Sequence, residues 1–316
     1  MITNKNEASA REVRRAKEMA RDVIAHHFGN KKPRRVAHKT SGLSNFVFEV
    51  AHAEGDFIVR ISPEPTRINS FIKEQWAQNK AREAGVPVPE ILEVGSHVIN
   101  QPFMISRVVE GGEATFHKKR FEIVREMGSY AALINSIETK GFGSTFDWSS
   151  NQLSHNASWR EFLENELRFQ EKVESLEKRK MIDAAKAKKI CRLLTDAAKQ
   201  KAKPSLTHGD IRLKNVMVAE DGKIVAFLDW ENCTSNLAPA WELSIALHDL
   251  SIDEKQLFLE GYGLKEKQIG ELMPLVKAID FINYAPEVER LAAEKDHVHL
   301  EKLRTRLNGA LDFYTF

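Results

Sequence analysis

The chain has 316 residues, with 47 Lys and Arg against 45 Asp and Glu, a formal net charge of +2. That length suffices for one large domain or for two lobes around a shared cleft, and a composition 42% apolar and 29% charged is globular rather than disordered. Two cysteines, Cys191 and Cys233, exclude a disulfide framework and a four-cysteine zinc site. The near-neutral balance removes the electrostatic case for a nucleic-acid partner. No apolar stretch approaches the roughly 20 residues that span a bilayer. The polar N-terminus lacks the apolar segment of a secretory signal, so a cytoplasmic protein without a membrane partner is expected.

In chain order, residues 11–28 place Val13, Met19, Val23 and Ile24 near helical spacing, with Gly29 as a stop. RRVAHK, FVFEVAH and FIVRIS are β-rich runs joined by short turns, which predicts an antiparallel meander. Residues 66–84 return to a helical pattern, ended by the Val-Pro-Val-Pro of 86–89. Ile91–Val94 and Phe103–Val109 are two further predicted strands, followed by Gly111-Gly112. From there to about residue 200 the pattern is helical, and the charged stretch at 157–200 is expected to be a solvated helical pair. Val216–Val218 and Ile224–Leu228 then flank Asp221-Gly222, a strong hairpin signal. Residues 240–316 are predicted helical. A β-rich first part and a larger helical part with one embedded hairpin amount to an α+β, two-lobe design.

Charge is unevenly placed along this order. Residues 231–316 hold 15 acids and 9 bases, a balance of −6, so residues 1–230 carry +8. Such asymmetry becomes informative if the chemistry holds an anion early and a cation late.

The most specific feature is His208-Gly209-Asp210, then Asn215 five residues after the aspartate, then Asp229 past the hairpin. An Asp and an Asn on one tight loop, with a second Asp at the end of the following hairpin, can converge on a single point. Phosphoryl transfer needs a carboxylate to orient and deprotonate a hydroxyl, and oxygen ligands to hold Mg²⁺ on nucleotide phosphates. Any one of these residues alone reads more simply as a helix cap or strand end.

Together with SGLSNFVFEV, FIVRIS, MISRVVEGG, ALINSIETKGFG, FLDWEN and APAWELS, this constellation resembles the aminoglycoside phosphotransferase and choline kinase family. The resemblance covers nearly the whole chain. It implies a protein-kinase-like fold, with a nucleotide-binding lobe over 1–106 and a hinge and acceptor-binding lobe over 107–316. It implies an ATP- and Mg²⁺-dependent enzyme that phosphorylates a hydroxyl of a small molecule. Asp210 matches the family's catalytic base, and Asn215 and Asp229 its metal ligands. Arg60 stands at the strand cation that grips the nucleotide phosphates, where many members have Lys, and Glu74 at its helix partner. Ser41, Gly42, Ser44 and Asn45 lie on the phosphate-covering loop. Arg107 to Val109 correspond to the hinge that reads adenine, with Ser106 in the gatekeeper place.

Three departures bear on chemistry. Arg212 sits where related families have His or Lys, and could neutralise charge on the transferring phosphoryl group. Glu242 replaces a frequent Asp in the segment that buttresses the loop, and Asn135 stands where a His is common. The alternative functions are a nucleotide-binding regulator without turnover, or a protein kinase. Against the latter, Asp229 is followed by Trp-Glu rather than Phe-Gly, and APAWELS follows too soon for a peptide-docking segment. No Gly-x-Ser-x-Gly elbow and no P-loop occurs. His297 and His299 alternate in a helical pattern and so share no face. The acidic C-terminal segment favours a cationic acceptor, with Asp249, Asp253, Glu287 and Glu289 as available acids.

Overall fold

The computed structural model describes residues 9–39, 45–144, 156–199 and 203–309. Helix α1, Ala10–His27, opens with a capping box in which Ser9 and Glu12 satisfy each other's backbone N–H groups. Ala16, Ala20, Val23 and Ile24 form its buried stripe. Strands β1 (Arg35–Lys39), β2 (Phe46–His52) and β3 (Gly55–Ile61) follow as the expected meander. Helix α2 (Ile68–Glu83) leads to β4 (Ile91–Gly95) and β5 (Phe103–Arg107), and the sheet order is β1-β2-β3-β5-β4. Every pairing in it is antiparallel.

Alternation sorts this sheet into two faces. Phe48, Val50, Phe57, Val59, Phe103 and Ile105 pack on the stripe of α1. On the other face Met104 and Ile91 meet Phe71 of α2. Arg60 lies between Val59 and Ile61, so its side chain emerges on the α2 face.

Beyond β5 the chain becomes mostly helical. β6 (Gly112–Glu113) precedes α3 (Arg120–Asn135), a short α4 (Trp159–Glu161) continues into a π-helical turn, and α5 (Phe169–Lys178) and α6 (Ala184–Lys199) form a pair. That pair is amphipathic rather than merely solvated, since Val173, Leu176, Ile190 and Leu194 are buried. β7 (Ser205–Thr207), the hairpin β8 (Val216–Val218) and β9 (Ile224–Phe227), and β10 (Thr234–Asn236) come next. β6, β8 and β9 form one small sheet and β7 pairs with β10. The last elements are α7 (Ala240–Ala246), α8 (Ile252–Tyr262), the 28-residue α9 (Glu266–Ala293) and α10 (His297–Gly309). Helices α3 and α8 approach so closely that a Cβ on Gly128 would lie 2.0 Å from the Phe258 carbonyl oxygen. The hairpin is tied to the proline segment by the Phe227 N–H, which donates to the Pro87 carbonyl at 2.9 Å.

Candidate active site

The loop that follows β7 is built from buried hydrogen bonds. The His208 and Gly209 N–H groups donate to the two oxygens of Glu242 on α7, at 2.6 and 3.2 Å. Gly209 has φ +77°, and a Cβ there would fall 2.3 Å from the Asn232 carbonyl oxygen, so only glycine fits. The His208 ring accepts from the Asp210 N–H at Nδ1 (3.2 Å) and faces the Leu228 carbonyl with Nε2 at 3.1 Å. Those partners require a neutral ring protonated at Nε2, and burial pushes its pKa down to about 4. Glu242 shows the opposite shift: burial raises its carboxyl to about 7 against the hydrogen bonds that favour its charge.

This frame brings the predicted residues together. Asn215 Nδ2 donates to the Asp210 carbonyl at 2.9 Å and to Asp210 Oδ2 at 2.8 Å. The Leu228 N–H donates to the Asn215 carbonyl at 2.8 Å, which sets Asp229 beside Asn215. Asp229 itself is left-handed, with φ +62°, a conformation uncommon outside glycine, Asn and Asp. Its carboxyl is raised by burial and by nearby Glu231, and lowered by Arg60. Arg212 Nε lies 2.8 Å from Asp210 Oδ1, although its N–H does not point at that oxygen, and Lys214 Nζ is 3.3 Å from Oδ2.

Across the cleft, Arg60 forms a two-pronged pair with Glu74, at 2.6 and 3.4 Å, over the Phe71 ring. Burial opposes the Arg60 charge, but Glu74, with Asp229 and Glu231, together outweigh it and the net shift is upward. Asn45 carries a buried Oδ1 with no partner among the described residues. Ser41, Gly42 and Ser44 lie outside the described residues. At the expected hinge, the Arg107 N–H donates to the Glu90 carbonyl and the Val108 N–H to the Asp56 carbonyl, at 2.9 and 3.1 Å. Ser106 is buried on the α2 face of β5. Of residues 107–109, Val109 alone keeps a backbone N–H without a described partner.

A cleft of about 1080 Å³ opens beside Asp210. Trp241, Ile245, Tyr284 and Pro286 supply an apolar wall, with Asn69, Ser70 and Asn283 as polar contacts. Its charged lining is balanced: Lys73, Arg212 and Arg290 against Asp210, Glu231 and Glu287. Of the acids expected to receive a cation, only Glu287 lines the cleft, and Arg290 holds both of its oxygens. Asp249 pairs with Arg212 and Arg306, and Glu289 with Arg179.

Two residues matter more here than sequence reasoning allowed. Asn135, given no role, donates to the Leu206 carbonyl at 3.0 Å and to Glu242 at 3.4 Å, and accepts from the Tyr262 hydroxyl at 2.9 Å. Lys73, adjacent to Glu74, is buried and donates to the Glu231 carbonyl at 2.9 Å, joining α2 to the segment after Asp229. Its only sequence signal was proximity to Glu74. Trp230 is core, its indole N–H bonded to the Phe227 carbonyl at 3.0 Å.

Among the described residues no three His, Cys, Asp or Glu side chains converge as a cation cage. Asn215 Oδ1 and the Asp229 carboxylate, neither with a described hydrogen-bond donor, supply hard oxygens for an ion that keeps water and takes phosphate oxygens.

Comparison with solved structures places the whole chain in a familiar architecture. A thermostable mutant of aminoglycoside phosphotransferase APH(4)-Ia, in ternary complex with ADP and hygromycin B, superposes with TM-score 0.67 at 15% identity, covering 94% of this chain and 99% of that one. Macrolide 2′-phosphotransferase MphH from Brachybacterium faecium gives TM-score 0.62 at 16% identity, covering 93% and 98%. The GDP and kanamycin complex of APH(2″)-IIia gives 0.61 at 14%, also covering 93% and 98%. At such identities the likeness shows the two-lobe kinase-like fold alone. No curated protein matches the sequence significantly. The model of the phosphotransferase enzyme family matches residues 37–273, roughly three quarters of the chain. This chain belongs to that family and is a phosphotransferase.

Proposed function

We propose that the protein transfers the γ-phosphoryl group of Mg-ATP to a hydroxyl of a small molecule seated in the cleft beside Asp210. The observation that carries this reading is the hydrogen-bonded Asp210–Asn215 pair, with Asp229 set beside it by the Leu228 N–H on the Asn215 carbonyl, opposite the Arg60–Glu74 pair. Residues 1–106 act as the nucleotide lobe and 107–316 as the acceptor lobe. Asp210 accepts the proton of the attacking hydroxyl, the new O–P bond forms, and the bond between the γ-phosphorus and the β–γ bridging oxygen breaks to release ADP. Arg212 meets charge on the group in transit. Asn215 and Asp229 hold Mg²⁺, which when bound neutralises phosphate charge. Arg60, held by Glu74, grips the phosphates, the loop of Ser41, Gly42, Ser44 and Asn45 covers them, and the main chain at Arg107 and Val109 reads the adenine, chiefly through the Val109 N–H, which has no partner among the described residues.

The acceptor is read as bulky and polyhydroxylated. A cleft near 1080 Å³ is of drug-sized proportions, and a molecule as small as choline would fill little of it. Relatives of this fold bind hygromycin B and kanamycin, so aminoglycoside-like cations lead the screen. The balance of −6 over residues 231–316 points the same way, whereas the charged lining of the cleft is itself balanced and its Glu287 is held by Arg290.

The test is ADP release from Mg-ATP and Mg-GTP across aminoglycosides, macrolides, choline and sugars. Asp229→Ala should weaken Mg-dependent nucleotide binding in calorimetry, since it deletes a formal charge beside a divalent ion. Unchanged affinity and unchanged Mg²⁺ dependence would remove Asp229 from the metal. Nucleotide binding without ADP release for any acceptor would mark a regulator instead.

A further inference from the structure

We propose that Asp249, anchored by the C-terminal helix α10, is a positioning residue that holds Arg212 in its working place, resting on the role of Arg212 given above. The link between α7 and α8 carries Asp249. One of its oxygens lies 3.3 Å from Arg212 Nη1, and the other is taken by Arg306 of α10. Arg212 is thus divided among three groups: the Asp210 carboxylate at 2.8 Å, Asp249, and the Tyr284 hydroxyl at 3.4 Å. Tyr284 is itself fixed on α9, stacked 3.9 Å over His248, whose Nδ1 meets the buried Asp280 at 3.1 Å.

Without Asp249, the one remaining anion beside Arg212 among the described residues is Asp210. A guanidinium prefers to engage a carboxylate with two parallel N–H bonds. In the present arrangement the Arg212 Nε–H is turned away from Asp210 Oδ1. Releasing Asp249 lets the guanidinium rotate onto Asp210 and occupy the oxygen needed for the incoming hydroxyl. The strut ends in α10, at residues 297–309, beyond the span 37–273 that the family model matches.

The experiment is steady-state ADP release from Mg-ATP by the full chain, with water as the acceptor and separately with kanamycin. Asp249→Ala should lower kcat about fivefold, the upper range for an exposed ion pair, with the KM for ATP unchanged within about twofold. Asp249→Glu should recover part of the loss. On an Arg212→Ala background, Asp249→Ala should cost nothing further, since the two act as one unit. Asp249 is 37% exposed at its side chain, so folding should survive; Asp249→Asn, nearly isosteric, serves as the second variant. Wild-type kcat in Asp249→Ala and Asp249→Asn, or losses that add to those of Arg212→Ala, would overturn the strut. Wild-type kcat in Arg212→Ala would instead overturn the role of Arg212 itself.

Discussion

The β-rich first part of the molecule and its helical second part handle charge near the site in different ways. In the first, Arg60 and Glu74 form a closed pair. Glu74 is 1% exposed, both its oxygens face one guanidinium, and the geometry is set by a strand and a helix. In the second, a single carboxylate is shared: Asp210 is approached by Asn215, Arg212 and Lys214, and Arg212 is shared in turn with Asp249. A closed pair is a fixture, whereas a shared carboxylate can redistribute its partners when a substrate arrives. The first suits binding of a constant group such as a triphosphate, and the second suits a changing one.

The largest expected effect breaks the shared cluster. Asp210→Asn keeps the shape but removes the charge and the proton acceptor, so turnover should fall on the order of 10²–10⁴-fold. Nucleotide affinity should stay near wild type, because Arg60 and Glu74 are untouched. ADP release beside calorimetric ATP binding checks both halves. Wild-type turnover on an active acceptor would mean that Asp210 is not the base.

Breaking the closed pair should harm folding and binding together. Arg60→Ala leaves Glu74 buried without its counter-ion, a change that costs about 3 kcal/mol or more at buried sites. It should also raise the KM for ATP about tenfold, as one charge-assisted contact is lost. Arg60→Lys restores the charge but not the fork. If Lys recovers both stability and KM, charge alone matters; if it recovers neither, the two-pronged geometry does. Wild-type KM in both would remove Arg60 from the nucleotide site.

Glu242 lies between these extremes: fully buried, and held by two backbone N–H groups rather than by a cation. Burial raises its carboxyl from 4.5 to about 7. The protonated acid is therefore the favoured buried form. Its contribution to stability is complete below pH 4.5 and is lost as pH climbs through 7, in total about 3 kcal/mol. Glu242→Gln should be less stable at low pH, where it offers one acceptor oxygen to two donors, but should lack this slope. Urea unfolding at pH 5 to 8 should show the gap between the two proteins narrowing as pH rises. A gap independent of pH would mean that the Glu242 carboxyl titrates at its ordinary value. Effects of His208 and Asp229 are common to both proteins and cancel in the difference.

Sequence legibility divided along the same line. Strands and helices with strong local periodicity lay within a few residues of their expected bounds: α1 at 10–27 against 11–28, α2 at 68–83 against 66–84, and the hairpin around Asp221-Gly222. The His-Gly-Asp-x₄-Asn spacing was readable because its partners are five residues apart. β7 and β10 were not, since Ser-Leu-Thr and Thr-Ser-Asn are mostly polar and, unlike the equally short β8, adjoin no turn signal such as Asp221-Gly222. The acidic tail misled in part: Asp249, Glu287 and Glu289 are each matched by an arginine nearby in space, and Lys73 brings a cation into the cleft from the other end of the chain. Net charge counts residues and ignores pairing.

The smallest effect concerns Asn135, whose contacts span 71 to 127 residues in sequence and left no local signal. It closes the end of α3 onto the strand before His208 by donating to the Leu206 carbonyl, and it links Glu242 to the Tyr262 hydroxyl. Burial raises the Tyr262 pKa, so its hydroxyl stays protonated and needs an acceptor. Asn135→Ala strands that donor and a carbonyl, which should cost about 1–2 kcal/mol, read as a lower melting temperature. Because Asn135 touches the buttress and not the cleft, the KM for ATP should not move and kcat should fall little. Asn135→His retains a ring N–H for Glu242 or Leu206 and should recover part of the stability. A melting temperature equal to wild type in Asn135→Ala would show that water replaces all three bonds. A kcat loss approaching that of Asp210→Asn would show instead that the shared cluster, unlike the closed pair, depends on its outermost support.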